Sequence, residues 1–189
     1  LFVFGCWGVN TPISVPRISP SGAATQALAQ YDANKDGVLA GAELDQCPAL
    51  KRSLRAFDKN GDGKLDYDEL YTRINTYLSG GAGALTMQCR VTLDGQPVEG
   101  VTVKLIPEAF MGGVLPTIEA VSNAQGDVTL ETKAIPGVPP GLYRVEVSRK
   151  DGDGKETLPA KYNTKTTFGC ESAQDDLHRG QLTLDLLNQ

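Results

Sequence analysis

The 189-residue chain is poor in several things that common functions depend on. It has a single histidine, His178, and no Cys-x-x-Cys pair, so a tetrahedral zinc site has no ligand set to draw on. It has no run of Lys and Arg, and its net charge is −5. A nucleic-acid surface needs a basic stripe to neutralise phosphates, and none is offered. There is no apolar stretch of roughly eighteen residues, which excludes a complete membrane-spanning helix in this chain. Aromatic residues are only 6% of the chain, and beyond residue 84 there is no Trp and little Phe or Tyr. A recognition face of stacked rings would have few rings to stack.

What remains is an ordinary globular balance, 40% hydrophobic and 22% charged, long enough for two small domains. Leu1 to Cys6 reads as the end of a signal-peptide apolar region meeting a bacterial lipoprotein cleavage site, with Cys6 acylated and holding the protein to a membrane. An apolar tail packed on the fold and an ordinary export signal are its other readings. Pro12, Pro16 and Pro20 lie among small and polar residues, as in an extended tether. Ser21 is placed to cap a helix running through Ala23 to Tyr31. A second breaker, Ser79-Gly80-Gly81-Ala82-Gly83, follows a helix starting near Tyr67. The expected organisation is therefore an anchor and tether over 1–20, a helical domain over 21–79, a glycine-rich linker over 80–83, and a second domain over 84–189.

The helical domain contains an internal repeat. Tyr31-Asp32-Ala33-Asn34-Lys35-Asp36-Gly37-Val38-Leu39 aligns with Phe57-Asp58-Lys59-Asn60-Gly61-Asp62-Gly63-Lys64-Leu65, and each copy reaches a Glu-Leu pair. The spacing is that of the EF-hand. Such a loop presents oxygen ligands at positions 1, 3, 5 and 7, a glycine at 6 for the sharp turn, and a bidentate Glu at 12. In the first copy these are Asp32, Asn34, Asp36, the Val38 carbonyl and Glu43 around Gly37; in the second, Asp58, Asn60, Asp62, the Lys64 carbonyl and Glu69 around Gly63. Position 9 differs, because Asp66 can contribute through water and Ala40 cannot. Leu39 and Leu65, at position 8, are the residues whose backbones would join paired loops in a short β-bridge. Two calcium ions are the expected cofactors. Asp151-Gly152-Asp153-Gly154 lacks the downstream Glu and reads as a hairpin turn.

After Gly83 the pattern changes to alternation. Leu85, Met87, Cys89, Val91 and Leu93 fall on one face, followed by Val101, Val103 and Leu105, then Val128 and Leu130, then Tyr143, Val145 and Val147, and last Leu182, Leu184 and Leu186. About seven short strands broken by turns predict a β-sandwich. The fold class is thus two-domain, with all-α paired EF-hands followed by an all-β sandwich. Val91-Thr92-Leu93-Asp94-Gly95-Gln96-Pro97-Val98-Glu99-Gly100-Val101-Thr102-Val103, the turn Asn123 to Val128 and Pro140-Gly141-Leu142-Tyr143-Arg144-Val145 carry a resemblance. They resemble the carboxypeptidase regulatory-like domains, which share a transthyretin-like or collagen-adhesin B-type sandwich. That resemblance implies a fold and says little of function. Transthyretin-related enzymes that hydrolyse 5-hydroxyisourate use several histidines and a C-terminal Tyr-Arg-Gly-Ser. This chain has only His178 and closes with Leu186-Leu187-Asn188-Gln189, so the resemblance does not carry that activity over. Nor does spacing identify the Lys–Asn crosslink that some collagen-adhesin B-type domains form.

The expectation is a non-enzymatic, exported calcium-binding protein of the periplasm or cell surface, its sandwich a structural or interaction module with an unidentified protein or glycan partner. The alternative is an accessory glycan- or peptide-binding module serving a partner enzyme, which would show an exposed aromatic patch on the sandwich. A cytosolic calcium sensor would need a Met-rich groove, and residues 21–79 contain no Met. With Cys6 acylated, Cys47, Cys89 and Cys170 would form one bridge and leave one thiol. Cys89–Cys170 is the expected pair, on the premise that first and last strands neighbour each other; Cys47–Cys89 is the other choice. The helical unit is expected to depend on calcium and the sandwich to keep its fold without it.

Overall fold

The computed structural model describes residues 17–79, 83–132, 136–178 and 180–187. The Leu1–Cys6 run, most of the tether and most of the Gly80–Gly83 linker lie outside these residues. Four helices come first: α1 (Pro20–Tyr31), α2 (Ala42–Asp45), α3 (Pro48–Phe57) and α4 (Tyr67–Ser79). Helix α1 begins earlier than its sequence suggests. Ser19, not Ser21, is the cap, its Oγ accepting from Gly22 N at 3.3 Å, and Pro20 occupies the first turn. A proline there loses nothing, because its missing N–H would have had no helical partner. Pro48 opens α3 in the same way. Ala23, Ala24 and Ala27 of α1 are buried and pack on α4, whose Leu70 and Ile74 are fully enclosed.

The second half forms two four-stranded sheets. The strands are β1 (Gln88–Leu93), β2 (Gln96–Pro97), β3 (Thr102–Pro107), β4 (Ile118–Val121), β5 (Asp127–Thr129), β6 (Gly141–Ser148), β7 (Gly169–Ser172) and β8 (Gln181–Leu186). In one sheet β1 is central. It pairs with β8 in parallel along its whole length, with β5 antiparallel at Gln88–Arg90, and with the two-residue β2 at Thr92–Leu93. The other sheet is antiparallel, in the order β4-β3-β6-β7. The alternation holds: Met87, Cys89 and Val91, Val103 and Leu105, Tyr143, Val145 and Val147, and Leu182, Leu184 and Leu186 are all buried. Eight strands are described where about seven were expected, β2 being too short to show as a periodic segment. Asp151–Gly154 is a turn, its Asp151 Oδ1 accepting from Asp153 N and Lys155 N, closed by a bridge between Lys150 and Glu156.

The expected Cys89–Cys170 bridge is not formed. Cys47, Cys89 and Cys170 are all free and buried. The premise about first and last strands is right for β1 and β8, but Cys170 sits on β7, which pairs with β6 in the opposite sheet. Burial pushes the Cys89 thiol up to about 12 and the Cys170 thiol higher still.

Helices and sandwich share one continuous apolar core. Helix α3 lies across β7 and β6, and α1 lies against a short 3-10 turn, Ala109–Met111. Tyr31 meets Phe110 edge to face, with ring centroids 6.2 Å apart. At Gly169 the backbones come so close that a Cβ would stand 2.2 Å from Ala49 N. Only glycine allows that approach.

Candidate metal centre

The two repeat loops join α1 to α2 and α3 to α4, and their backbones fold alike. At position 6, Gly37 and Gly63 have φ of 87° and 77°, the left-handed turn that favours glycine. Their N–H groups donate to Asp32 Oδ2 and Asp58 Oδ2, each at 2.9 Å. Asn34 Oδ1 accepts from Asp36 N at 2.9 Å, and Asn60 Oδ1 from Asp62 N at 2.8 Å. Asp36 Oδ1 and Asp62 Oδ1 accept in turn from Val38 N and Lys64 N. At the loop ends Glu43 Oε1 accepts from Ala33 N and Glu69 Oε1 from Lys59 N, at 3.0 and 2.9 Å. The position-12 carboxylate therefore folds back across the start of each loop. Leu39 and Leu65, both fully buried, exchange N–H···O bonds of 2.8 and 3.0 Å. The β-bridge expected between them is present.

Among the described residues no three His, Cys, Asp or Glu side chains gather as a metal cluster. The carboxylates are held by N–H groups of their own loops, and part of each donor set is amide or carbonyl oxygen. Donor chemistry still fits a hard cation. Every expected ligand is an oxygen, the loops are largely exposed, and the carboxylates are held by bonds to N–H groups instead of cationic side chains. When bound, calcium would supply the charge that gathers these oxygens.

The loops differ in detail. Asp66 Oδ1 accepts from Glu69 N at 2.8 Å while Glu69 Oε2 accepts from Asp66 N at 3.3 Å. That reciprocal pair caps α4. The first loop has Gly41 in the capping position of α2 and no side-chain cap. At position 4, Lys35 holds φ 60°, where the second loop has Gly61 at 77°. Glu69 is buried and Glu43 half-buried.

Two polar clusters between helices and sandwich were not legible in the sequence. In one, Arg73 of α4 donates from Nε to Glu171 Oε1 and from Nη1 to Asp175 Oδ2, both at 2.7 Å, and Tyr77 OH donates to Glu171 Oε1 at 2.6 Å. The Arg73 and Glu171 side chains are 3% and 2% exposed. Burial alone would lower the Arg73 pKa, but its bonds to Asp175 and Glu171 outweigh that and hold it above its ordinary value. The same Arg73 bond keeps the Asp175 carboxyl below its usual range. In the other cluster Tyr31 OH donates to Glu108 Oε2 at 3.2 Å, beside the Cys47 thiol. Glu108 Oε1 is buried without a well-formed hydrogen bond, and burial raises the Glu108 carboxyl. The one available signal was an arginine on the apolar stripe of α4. His178 is exposed in a turn, its N–H bonded to Asp176 Oδ1.

The EF-hand family matches residues 50–74, which contain the second loop and the start of α4. Among solved structures, the chain is similar to the major pilin subunit of Bacillus cereus, BcpA, and to a single-substitution variant of it. Identities are 15% and 13%, 55% and 56% of this chain is covered, and the TM-scores are 0.35 and 0.36. The chain spans 30% of the pilin's length, and a likeness of this size carries no argument about fold or function. No curated protein sequence matches the chain.

Proposed function

We propose that this chain is an exported, non-enzymatic protein that holds two calcium ions in paired EF-hand loops, with the metal serving structure and not signalling. The observation that carries this reading is the repeated loop framework joined through Leu39 and Leu65. Asp32, Asn34, Asp36, the Val38 carbonyl and Glu43 would hold one ion. Asp58, Asn60, Asp62, the Lys64 carbonyl and Glu69 would hold the other, with Asp66 reaching it through water. Outside cells, millimolar calcium fills a site even at a Kd of ~10⁻⁴ M. The sandwich, read as carboxypeptidase regulatory-like from its strand and turn residues, serves as a structural or interaction module. The glycan-binding alternative has little support, since the exposed large apolar side chains described on the sandwich are Val114, Val121, Leu177 and Leu187, none of them aromatic. Acylation of Cys6 would attach the protein to a membrane.

Calorimetric titration of the metal-free chain with calcium tests the reading. Two equivalents are expected, falling to one in Glu69→Gln. A chain that takes up no calcium at millimolar concentration overturns it.

A further inference from the structure

We propose that α4 is a latch through which calcium in the second loop controls the docking of the helical unit on the sandwich; this rests on the calcium reading above. Glu69, Arg73 and Tyr77 recur every four residues and so share one face of α4. The first closes the calcium loop, through bonds from Lys59 N and Asp66 N. The other two grip Glu171 of β7. A single rigid helix therefore ties the position-12 carboxylate to a buried ion pair on the other half of the molecule.

The pair tolerates little displacement. Arg73 and Glu171 are almost fully removed from water, and Arg73 Nη2 is buried without a partner. Moving α4 by a fraction of a turn would leave both charges uncompensated, a far worse state than the matched pair. The first loop is tied in the same manner at its other end. Tyr31, which donates to Glu108 of the sandwich, is the residue immediately before Asp32. The loops carry three and four carboxylates, Asp32, Asp36 and Glu43 against Asp58, Asp62, Asp66 and Glu69, and drawing them together without metal costs repulsion that acts on the helices carrying the docking contacts. Calcium removes that repulsion and fixes Glu69. Reciprocity then requires the docked sandwich to raise calcium affinity by the factor through which calcium favours docking.

The buried thiols report the docked state. Cys47 lies beside Tyr31 and Glu108, between the two halves. Cys89 and Cys170 lie in the sandwich. Cys170 is turned away from the helices, because its neighbours Gly169 and Glu171 face them. In the full-length chain, calorimetry establishes calcium binding and its removal by chelator, and site-resolved alkylation then follows each thiol. Chelation is expected to raise the labelling rate of Cys47 at least tenfold while Cys89 and Cys170 stay protected. Glu171→Gln is expected to expose Cys47 even with calcium present and to weaken the second site five- to fifty-fold. Asp175→Asn, at a side chain 70% exposed, keeps an oxygen acceptor for Arg73 while removing the charge, and is expected to weaken the second site two- to threefold.

The latch is overturned if calcium leaves and Cys47 stays protected, or if all three thiols become reactive together. Unchanged second-site affinity in Asp175→Asn also overturns it. Absence of calcium binding in the first titration overturns the calcium reading and the latch with it. Calcium binding without a Cys47 response overturns the latch alone.

Discussion

The two loops have nearly the same backbone and differ in what holds it. In the second, Asp66 caps α4 while standing at a ligand position, Gly61 takes the left-handed turn freely, and a thirteen-residue helix follows Asp66. In the first, Ala40 offers no side-chain oxygen, Lys35 is held at φ 60°, and the helix that follows has four residues. A short helix adds little rigidity of its own. Copies of one motif can therefore carry nearly the same ligand list, differing at position 9, and unequal preorganisation. The second loop is expected to bind calcium more tightly.

The comparison can be broken most forcefully by removing metal. In differential scanning calorimetry, chelator is expected to abolish a low-temperature transition from the helices and to lower the sandwich transition by only a few degrees. The independence of the two units suggested by their sequences is tempered by the shared core. Next in size is a pair of substitutions read by calcium titration. Glu69→Gln should cost the second site on the order of a hundredfold, about 2.7 kcal/mol, and Glu43→Gln should cost the weaker first site less. Equal losses from equal starting affinities would end the claim of asymmetry. Asp66→Ala should remove both a cap and a ligand, destabilising the calcium-free helical unit by ~1 kcal/mol in thermal unfolding. The smallest effect is expected from Lys35→Gly. Relief of the left-handed conformation should stabilise the first loop by roughly 0.5–1 kcal/mol, and unchanged unfolding would show that the turn is not strained.

The two polar contacts between the halves differ as well, since Arg73 and Glu171 compensate each other whereas among the described residues no cation forms an ion pair with Glu108, Arg144 acting on it only at longer range. Burial raises the Glu108 carboxyl, so the folded state holds its proton more tightly than the unfolded chain does. Its contribution is fully present below the unfolded value, ~4.3, and is lost as pH rises through the folded one. Glu108→Gln should thus stabilise the calcium-loaded protein by about 1 kcal/mol at pH 7. The gain should vanish near pH 4, as followed by thermal unfolding of both forms at each pH.

Much of this was legible from the residues because it is local. The residues expected as loop ligands lie within twelve positions of one another, and strand faces follow a period of two, so Leu39, Leu65, Val103 and Leu184 could be placed from the sequence. The cap of α1 was missed by two residues because Ser19 and Ser21 are equally good acceptors. Only the proline between them decides which one starts the helix.

The sequence by itself determined the oxygen sets, the turn glycines and the apolar faces, since each depends on neighbours along the chain. The tertiary structure alone decided which sheet receives β7 and its Cys170. It also decided that Arg73 would meet Glu171, 98 positions away, and that Gly169 would lie against Ala49. Alternation says that a strand has an inner face but not which strand lies beside it. An arginine on a helix carries no record of the distant carboxylate that compensates its charge. Those choices arise from packing all the apolar faces into one core, a condition on the whole chain that no short segment contains.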